Sequence, residues 1–349
     1  MICFYSFVYK SVRLLVKSVM YSIQFFTNKP KDLEDAVLFG HKLLYKLTTY
    51  NLIWSPNINL NNSLKRSIYD LNFDNPLTFA SYESNLCLLS FFYKLGISGG
   101  CYKTMMNNSR DGNSRPRLQE VLVNRRNCLI NAMGLPGPGA SSAIKSIIKS
   151  SLLTYNRPLG LSLGGESPAG YYDSFLAYNT VIDDMSYPFY YELNISCPNT
   201  EKGKHLTSNI ELLESLVKKI RRSTNRVISV KVSPDQTNYQ IQQIADMLLQ
   251  FDCIIMNAGN TQFKSTSQVE LKKGSISIGG GGLSGDALFN RTKEMIVVLA
   301  PFKLPIIATG GISSYSQVKT CLDSGANLIG MATALVFNPY CIPKILKQL

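Results

Sequence analysis

The chain has 349 residues, 45% of them hydrophobic, with 24 Gly, 15 Pro and a formal net charge of +13. This composition excludes a disordered chain and allows either one large α/β barrel or two ordinary domains. Eight scattered cysteines without a C-x-x-C pair, and only two histidines, argue against a zinc site and for a reducing compartment; the positive charge suits nucleic acid, an anionic membrane surface or anionic small molecules.

Residues 1–31 carry five basic residues, Lys10, Arg13, Lys17, Lys29 and Lys31, and no acid. Over residues 1–27 the spacing predicts an amphipathic helix with Lys10, Arg13 and Lys17 on one face and Val8, Val12, Leu15 and Val19 on the other. The uncharged run Ser18–Asn28 is about half of the roughly 20 residues a membrane span needs, so the helix is expected to lie in the membrane interface. A cleaved targeting peptide has the same basic, acid-poor make-up. Lys31–Tyr50 follows as a second helix, with Leu33, Val37, His41, Leu44 and Leu47 in 3–4 spacing. Neither His41 nor His205 has neighbours in sequence that suit acid–base catalysis.

From Asn75 onward short apolar runs alternate with helical stretches. The strand candidates are Leu77–Ser81, Ile97–Lys103, Cys128–Gly134, Leu159–Gly165, Tyr190–Ser196, Val227–Ser233, Cys253–Gly259, Pro305–Gly311 and Asn327–Thr333. Helical stretches include Asn209–Thr224, Tyr239–Leu249, Leu288–Leu299 and Ser316–Ser324. Repeated β–α units predict an α/β fold, a (β/α)8 TIM barrel over 71–349 behind a short helical extension at 1–70. Cys128–Gly134 is set aside as a stave, because it runs into the turn-rich L-P-G-P-G rather than a helix.

Chemistry gathers at the strand ends, where such a barrel keeps its site. Y-Y-E-L-N-I-S-C-P-N-T (190–200) opens as a buried strand and closes on Asn194, Cys197 and Asn199, with Pro198 stopping it. Cys197 reads as a core thiol or as a group that moves a proton, and the flanking amides favour the second. Lys231 stands inside an apolar run and needs an anionic or acceptor partner. Two glycine clusters, Gly279–Gly285 and Ala308–Gly311, together with Thr333, form a plausible phosphate cradle late in the barrel.

At this point the chain resembles the dihydroorotate dehydrogenase family over roughly residues 30–340. N-I-S-C-P-N-T (194–200) resembles its N-x-S-[C/S]-P-N signature, and G-N-S-R-P-R (112–117) its G-N-P-x-P-R. I-N-A-M-G-L-P-G-P-G (130–139), V-K-V-S-P-D (230–235), G-G-L-S-G (281–285), A-T-G-G-I-S-S (308–314) and G-A-N-L-I-G-M-A-T-A-L (325–335) are similar to further blocks in the family order. The resemblance implies FMN-dependent oxidation of (S)-dihydroorotate to orotate in pyrimidine synthesis, with no metal. By motif, Cys197 is the base. Lys103, Asn131, Met133, Gly134, Leu135, Asn194, Asn199 and Asn257 contact substrate. Ala80, Ser81, Lys103, Thr104, Asn194, Lys231, Gly281, Gly282, Gly310, Gly311, Ala332 and Thr333 hold FMN.

The resemblance is a mosaic. Cysteine at the base position matches the soluble class 1 enzymes, whereas F-V-Y-K-S-V-R-L-L and D-L-E-D-A-V-L-F-G-H-K-L-L resemble the extension that leads quinone to the flavin in membrane-linked class 2. Tyr82 stands where the family generally has Gly, Ala258 where it has Ser or Thr, Ala332 in place of a loop glycine, and Gly137 where class 1 has Asn. The expected acceptor is quinone or fumarate, with an NAD-linked partner subunit left open. Residues 1–27 are expected to bind a membrane surface, mitochondrial or bacterial inner, with a cytoplasmic enzyme as the alternative. In that reading residues 1–50 serve only the acceptor, and the barrel reduces its flavin without them. No nucleic acid is expected, and a homodimer is left open. Two other readings compete: an FMN-dependent tRNA-dihydrouridine synthase, suited by the charge, and a decayed barrel that only binds membrane.

Overall fold

The computed structural model describes residues 1–50, 52, 54–56, 61–195, 206 and 209–349. Eight parallel strands close into a barrel in chain order: β1 (Leu77–Phe79), β2 (Gly99–Met105), β3 (Leu159–Leu163), β4 (Phe189–Asn194), β5 (Ile228–Val232), β6 (Ile254–Ala258), β7 (Ile306–Thr309) and β8 (Leu328–Met331). These are the eight staves expected from the sequence. The run around Cys128 is a strand outside the barrel: Arg126–Asn131 pairs with Leu118–Val123 and with Gly280–Gly285, which in turn pairs with Gln262–Ser265. This antiparallel sheet is built from the connections that leave the C-terminal ends of β2 and β6, so it rises over that end of the barrel.

Strand register explains the interior. Successive side chains alternate, so every second residue of a stave points inward. On β4 that set is Tyr190, Glu192 and Asn194, paired alongside Gly160 and Ser162 of β3 and Ser229 and Lys231 of β5. The lower inward layer is apolar: Cys101, Tyr190, Val227, Ile255, Ile307 and Leu328 form one cluster with Ile68, Leu71 and Phe73. Those last three belong to a small hairpin, Arg66–Ile68 with Leu71–Phe73, that seals the barrel's N-terminal end. The hairpin straddles residue 70, so we propose that the extension ends before Arg66 rather than at 70.

Ahead of the hairpin lie two helices, α1 (Ile2–Phe26) and α2 (Glu34–Thr49). Buried Gln24 closes the turn between them, donating to the Asp32 carbonyl at 2.8 Å and to Asp35 at 2.7 Å and accepting from the Asp32 N–H at 3.0 Å. One face of α1 leans on the chain's C-terminal segment. The Tyr9 hydroxyl donates to the Val336 carbonyl at 3.2 Å, Asn338 donates to Ser6 at 3.0 Å, and Tyr5 stacks on Trp54 at 4.6 Å.

The helix is amphipathic as expected, with its basic face turned largely toward the protein and its apolar face outward. Arg13 and Lys17 turn inward and both pair with Glu120 of the antiparallel sheet. Lys10 is exposed at the mouth of the cavity described below. Val8, Val12, Leu15 and Val19 face outward with Phe4 and Phe7, Leu15 being 64% and Phe7 69% exposed. The physical reason is that the nearest carboxylate belongs to the protein itself. No helix among the described residues is long and apolar enough to cross a membrane.

Candidate active site

A cavity of about 1290 Å³ opens over the C-terminal ends of the staves and runs out beneath α1 and α2. Fourteen of the expected site residues line it: Ala80, Ser81, Lys103, Thr104, Asn131, Met133, Gly134, Leu135, Asn194, Lys231, Gly310, Gly311, Ala332 and Thr333. They lie on seven different strands or strand ends, which explains why the sequence spreads them over some 250 positions. Cys197 and Asn199 lie outside the described residues. Cys197 follows Asn194 by three residues, and Asn194 is the last residue of β4.

Beneath Ser81, Asn194 and Lys231 of the cavity wall lies a polar network centred on Glu192, a carboxylate 1% exposed; neither it nor Asn257 lines the cavity itself. Ser81 donates to it at 2.5 Å, Ser162 at 3.2 Å and Asn257 Nδ2 at 2.7 Å, while Lys231 Nζ stands 3.9 Å away and donates to Ser81 at 3.1 Å. A buried charge requires such company. The carboxylate therefore fixes Asn257: its NH2 faces Glu192, and its Oδ1 is left buried with no partner among the described residues. Asn194 is held similarly, Nδ2 donating to Thr104 at 2.9 Å and Oδ1 accepting from Asn260 at 3.0 Å. Glu192 was not anticipated, although its two-residue spacing from Asn194 in Y-Y-E-L-N was the available signal.

One wall is the late-barrel cradle. Gly310 and Gly311 have φ of +127° and +72°, and a Cβ would lie 2.6 Å from Thr292 Oγ1 and 2.5 Å from the Phe289 nitrogen, respectively. Only glycine fits there, and it leaves backbone N–H groups accessible. Thr333 donates to Ser284 at 2.9 Å, and the Thr309 hydroxyl is buried without a partner among the described residues. Asp286, the acid nearby, is neutralised by Arg126 at 2.6 Å. A hydroxyl free to donate, glycines at positive φ that bare their N–H groups, and a further Thr–Ser hydroxyl pair fit a phosphorylated cofactor.

Gly281 and Gly282 do not belong to this wall. They sit inside the strand Gly280–Gly285, laddered to Gln262–Ser265, with Gly282 also paired to Asn131. A Cβ on Gly281 would collide with the Asn131 carbonyl, so these glycines admit close strand approach, and Ser284 and Gly285 line the cavity instead.

The opposite wall adds groups the sequence did not suggest. His41 Nε2 lies 3.2 Å from Glu83, so His41 does have a carboxylate partner, brought by the fold from 42 positions away. Burial raises the Glu83 pKa, but His41 and the Ser84 and Asn85 N–H groups outweigh it and hold the carboxyl below its ordinary 4.5. Burial also pushes Lys103 below its ordinary 10.5, with Glu83 opposing that shift. Tyr82 lines the cavity, and its buried hydroxyl has no hydrogen-bond partner among the described residues.

Fold and site together define a (β/α)8-barrel enzyme with a cofactor cradle at the C-terminal end of its strands. The model of the dihydroorotate dehydrogenase family matches residues 63–349, and the chain belongs to that family. It is thus an oxidoreductase of pyrimidine biosynthesis in a flavin-dependent family. The chain is 27% identical over 296 residues to dihydroorotate dehydrogenase (quinone) of Haemophilus ducreyi, covering 81% of this chain and 86% of that one. It is 28% identical over 295 residues to dihydroorotate dehydrogenase B (NAD(+)), catalytic subunit, of Malacoplasma penetrans, covering 83% and 92%. The solved dihydroorotate dehydrogenase of Eimeria tenella in complex with ferulenol superposes with a TM-score of 0.74 at 18% identity over 89% of this chain and 90% of that one, a likeness of fold. The dihydrouridine synthase reading is not favoured.

Proposed function

We propose that the chain oxidises (S)-dihydroorotate to orotate with FMN laid across the C-terminal end of the barrel, and that a quinone is the acceptor. One observation carries the reading most: Glu192 turns Asn257 so that a buried carbonyl oxygen awaits an N–H donor, which a pyrimidine ring offers. Lys103, on the cavity wall, offers a donor suited to the substrate carboxylate. Asn131 and the backbone of Met133–Leu135 close the substrate side, and Asn194 and Asn199 complete the amide set. Cys197 takes the C5 proton, for which its thiol must reach the thiolate form.

Gly310, Gly311, Ala332 and Thr333 would hold the FMN phosphate, with Ser284 and Gly285 beside them. Ala80, Ser81, Thr104 and Lys231 would meet the ring system. When bound, FMN supplies the two-electron oxidant for the hydride leaving C6. A quinone suits the outer reach of the cavity, where Leu14, Leu33, Val37, Leu38 and Phe337 contribute apolar wall. The outward apolar face of α1 supports peripheral membrane attachment, through acyl contact rather than through Arg13 and Lys17.

The test is anaerobic reduction of the purified protein with dihydroorotate, then reoxidation in parallel with a short-chain quinone, fumarate or NAD. Bleaching of the flavin followed by fastest recovery with quinone is expected. Recovery with fumarate alone would overturn the acceptor, and a flavin that dihydroorotate leaves oxidised would overturn the whole reading.

A further inference from the structure

The G-N-S-R-P-R segment has a role in the structure that the proposed chemistry does not use. Its two arginines are held by the start of α2, within the N-terminal extension. Asp32, 1% exposed, accepts from Arg115 Nε at 2.8 Å and from the Arg117 backbone N–H at 3.2 Å. Asp35 pairs with Arg115 at 2.9 Å. Glu34 takes Arg117 in a two-pronged grip, Nε to Oε2 and Nη2 to Oε1, both 2.8 Å, with the two side chains only 13% and 11% exposed. A fork of this kind fixes direction as well as charge.

Arg117 passes the grip on. Its Nη1 donates to the carbonyls of Asp111 at 2.6 Å and Asn113 at 2.8 Å, closing the loop on itself. Asn113 then donates through its backbone N–H to the Met133 carbonyl at 3.0 Å and through Nδ2 to the Ala132 carbonyl at 2.9 Å, and the Ala132 N–H returns to the Arg117 carbonyl at 2.8 Å. Met133, Gly134 and Leu135 are cavity wall, and the last two stand at φ of +69° and +57°, a turn that needs support. At Gly134 even a Cβ would fall 2.7 Å from Asn113 Cγ, so the two segments touch directly.

We infer that Asp32 and Glu34 of the extension are positioning residues for the dihydroorotate side of the reaction, acting through Arg117 and Asn113 on the wall at Met133–Leu135. The extension is thereby part of the substrate site and not only a route for the acceptor. The inference rests on the reading of that wall as substrate-binding. It reverses the expectation that the barrel reduces its flavin unaided once residues 1–50 are removed.

The test uses the full chain with Glu34→Gln, which keeps the shape and loses the charge, and Arg117→Lys, which keeps the charge and loses the fork. Three quantities are read: amide hydrogen exchange over residues 131–136, the KM for dihydroorotate, and kcat. Faster exchange in that segment and a KM raised about tenfold, with kcat changed much less, are expected, since small misplacement of a binding wall is costly. The double variant Glu34→Gln/Arg117→Lys should be no worse than the poorer single one, because both break one link. Exchange and KM at wild-type values in both single variants would overturn the inference, as would fully additive losses. If the wild-type chain leaves dihydroorotate unoxidised, the functional reading fails separately, and the exchange rates alone decide whether the extension holds this wall.

Discussion

The two ends of the barrel are made by the same staves and behave oppositely. At the N-terminal end the inward residues Tyr190, Ile255, Ile307 and Leu328 close on the hairpin's Ile68, Leu71 and Phe73 as a dry plug. Two positions further along each strand the inward residues are Glu192, Asn257, Thr309 and Gly330, and the interior turns polar. One step of strand period, under 7 Å of rise at ~3.3 Å per residue, separates an end that stabilises from an end that binds. In this upper layer Asn257 Oδ1 and the Thr309 hydroxyl are buried without partners among the described residues, and a ligand could satisfy them. The plug has been optimised for packing; the upper layer keeps open acceptors at a cost in stability.

This contrast can be broken from below first. Phe73→Ala should destabilise the fold by about 3–5 kcal/mol, the usual cost of emptying a buried aromatic site, while the KM for dihydroorotate in the surviving folded protein stays near wild type. Thermal melts and steady-state kinetics on the same sample check it; a large KM change would show that the ends are not independent. From above, Cys197→Ala should retain FMN yet slow flavin reduction by dihydroorotate at least about 100-fold, with little change in melting temperature. Stopped-flow absorbance reads the rate, and unchanged reduction would place proton abstraction elsewhere.

Glu192 lies at the boundary between the layers and sharpens the comparison. Glu192→Gln removes the charge that orients Asn257, so either amide end can then face the ligand. A loss of about tenfold in affinity for orotate is expected, on the order of one hydrogen bond to a charged group. Titration of the oxidised protein measures it.

The smallest effect concerns the extension. Burial raises the Glu34 pKa, but the Arg117 hydrogen bond and charge, with Arg115 behind them, hold it below its ordinary 4.5. A folded-state pKa below the unfolded one means that this contribution is fully present above about pH 4.5 and is lost as pH falls through the lower folded value. Melting temperature should therefore drop on acidification below pH 4.5, and Glu34→Gln should flatten that acid limb. A limb of unchanged slope would mean that other carboxylates govern it.

Much of this molecule was legible in the linear chain. Strand period and the run of β–α units located eight staves, because alternation and barrel topology are local rules with one global solution; of the fourteen cavity residues, Asn194, Lys231, Gly310, Gly311 and Thr333 were legible from the strand ends, and the other nine came through the family resemblance. The setting aside of the Cys128 run as a stave rested on the same logic, since no helix followed it. What the chain could not state was direction and partnership. The amphipathic spacing of α1 was plain, but whether its basic face met lipid or protein depended on Glu120, 103 positions beyond Lys17. His41 met Glu83, Glu34 met Arg117, and Glu192 met Asn257 across gaps of 42, 83 and 65 positions. The glycines at 281 and 282 had a composition equally suited to a phosphate cradle or to tight strand pairing, and only the neighbouring Asn131 strand decided between them. Periodicity belongs to a segment and survives in its sequence; a charge acquires its role from whichever group the closed barrel brings within about 3 Å.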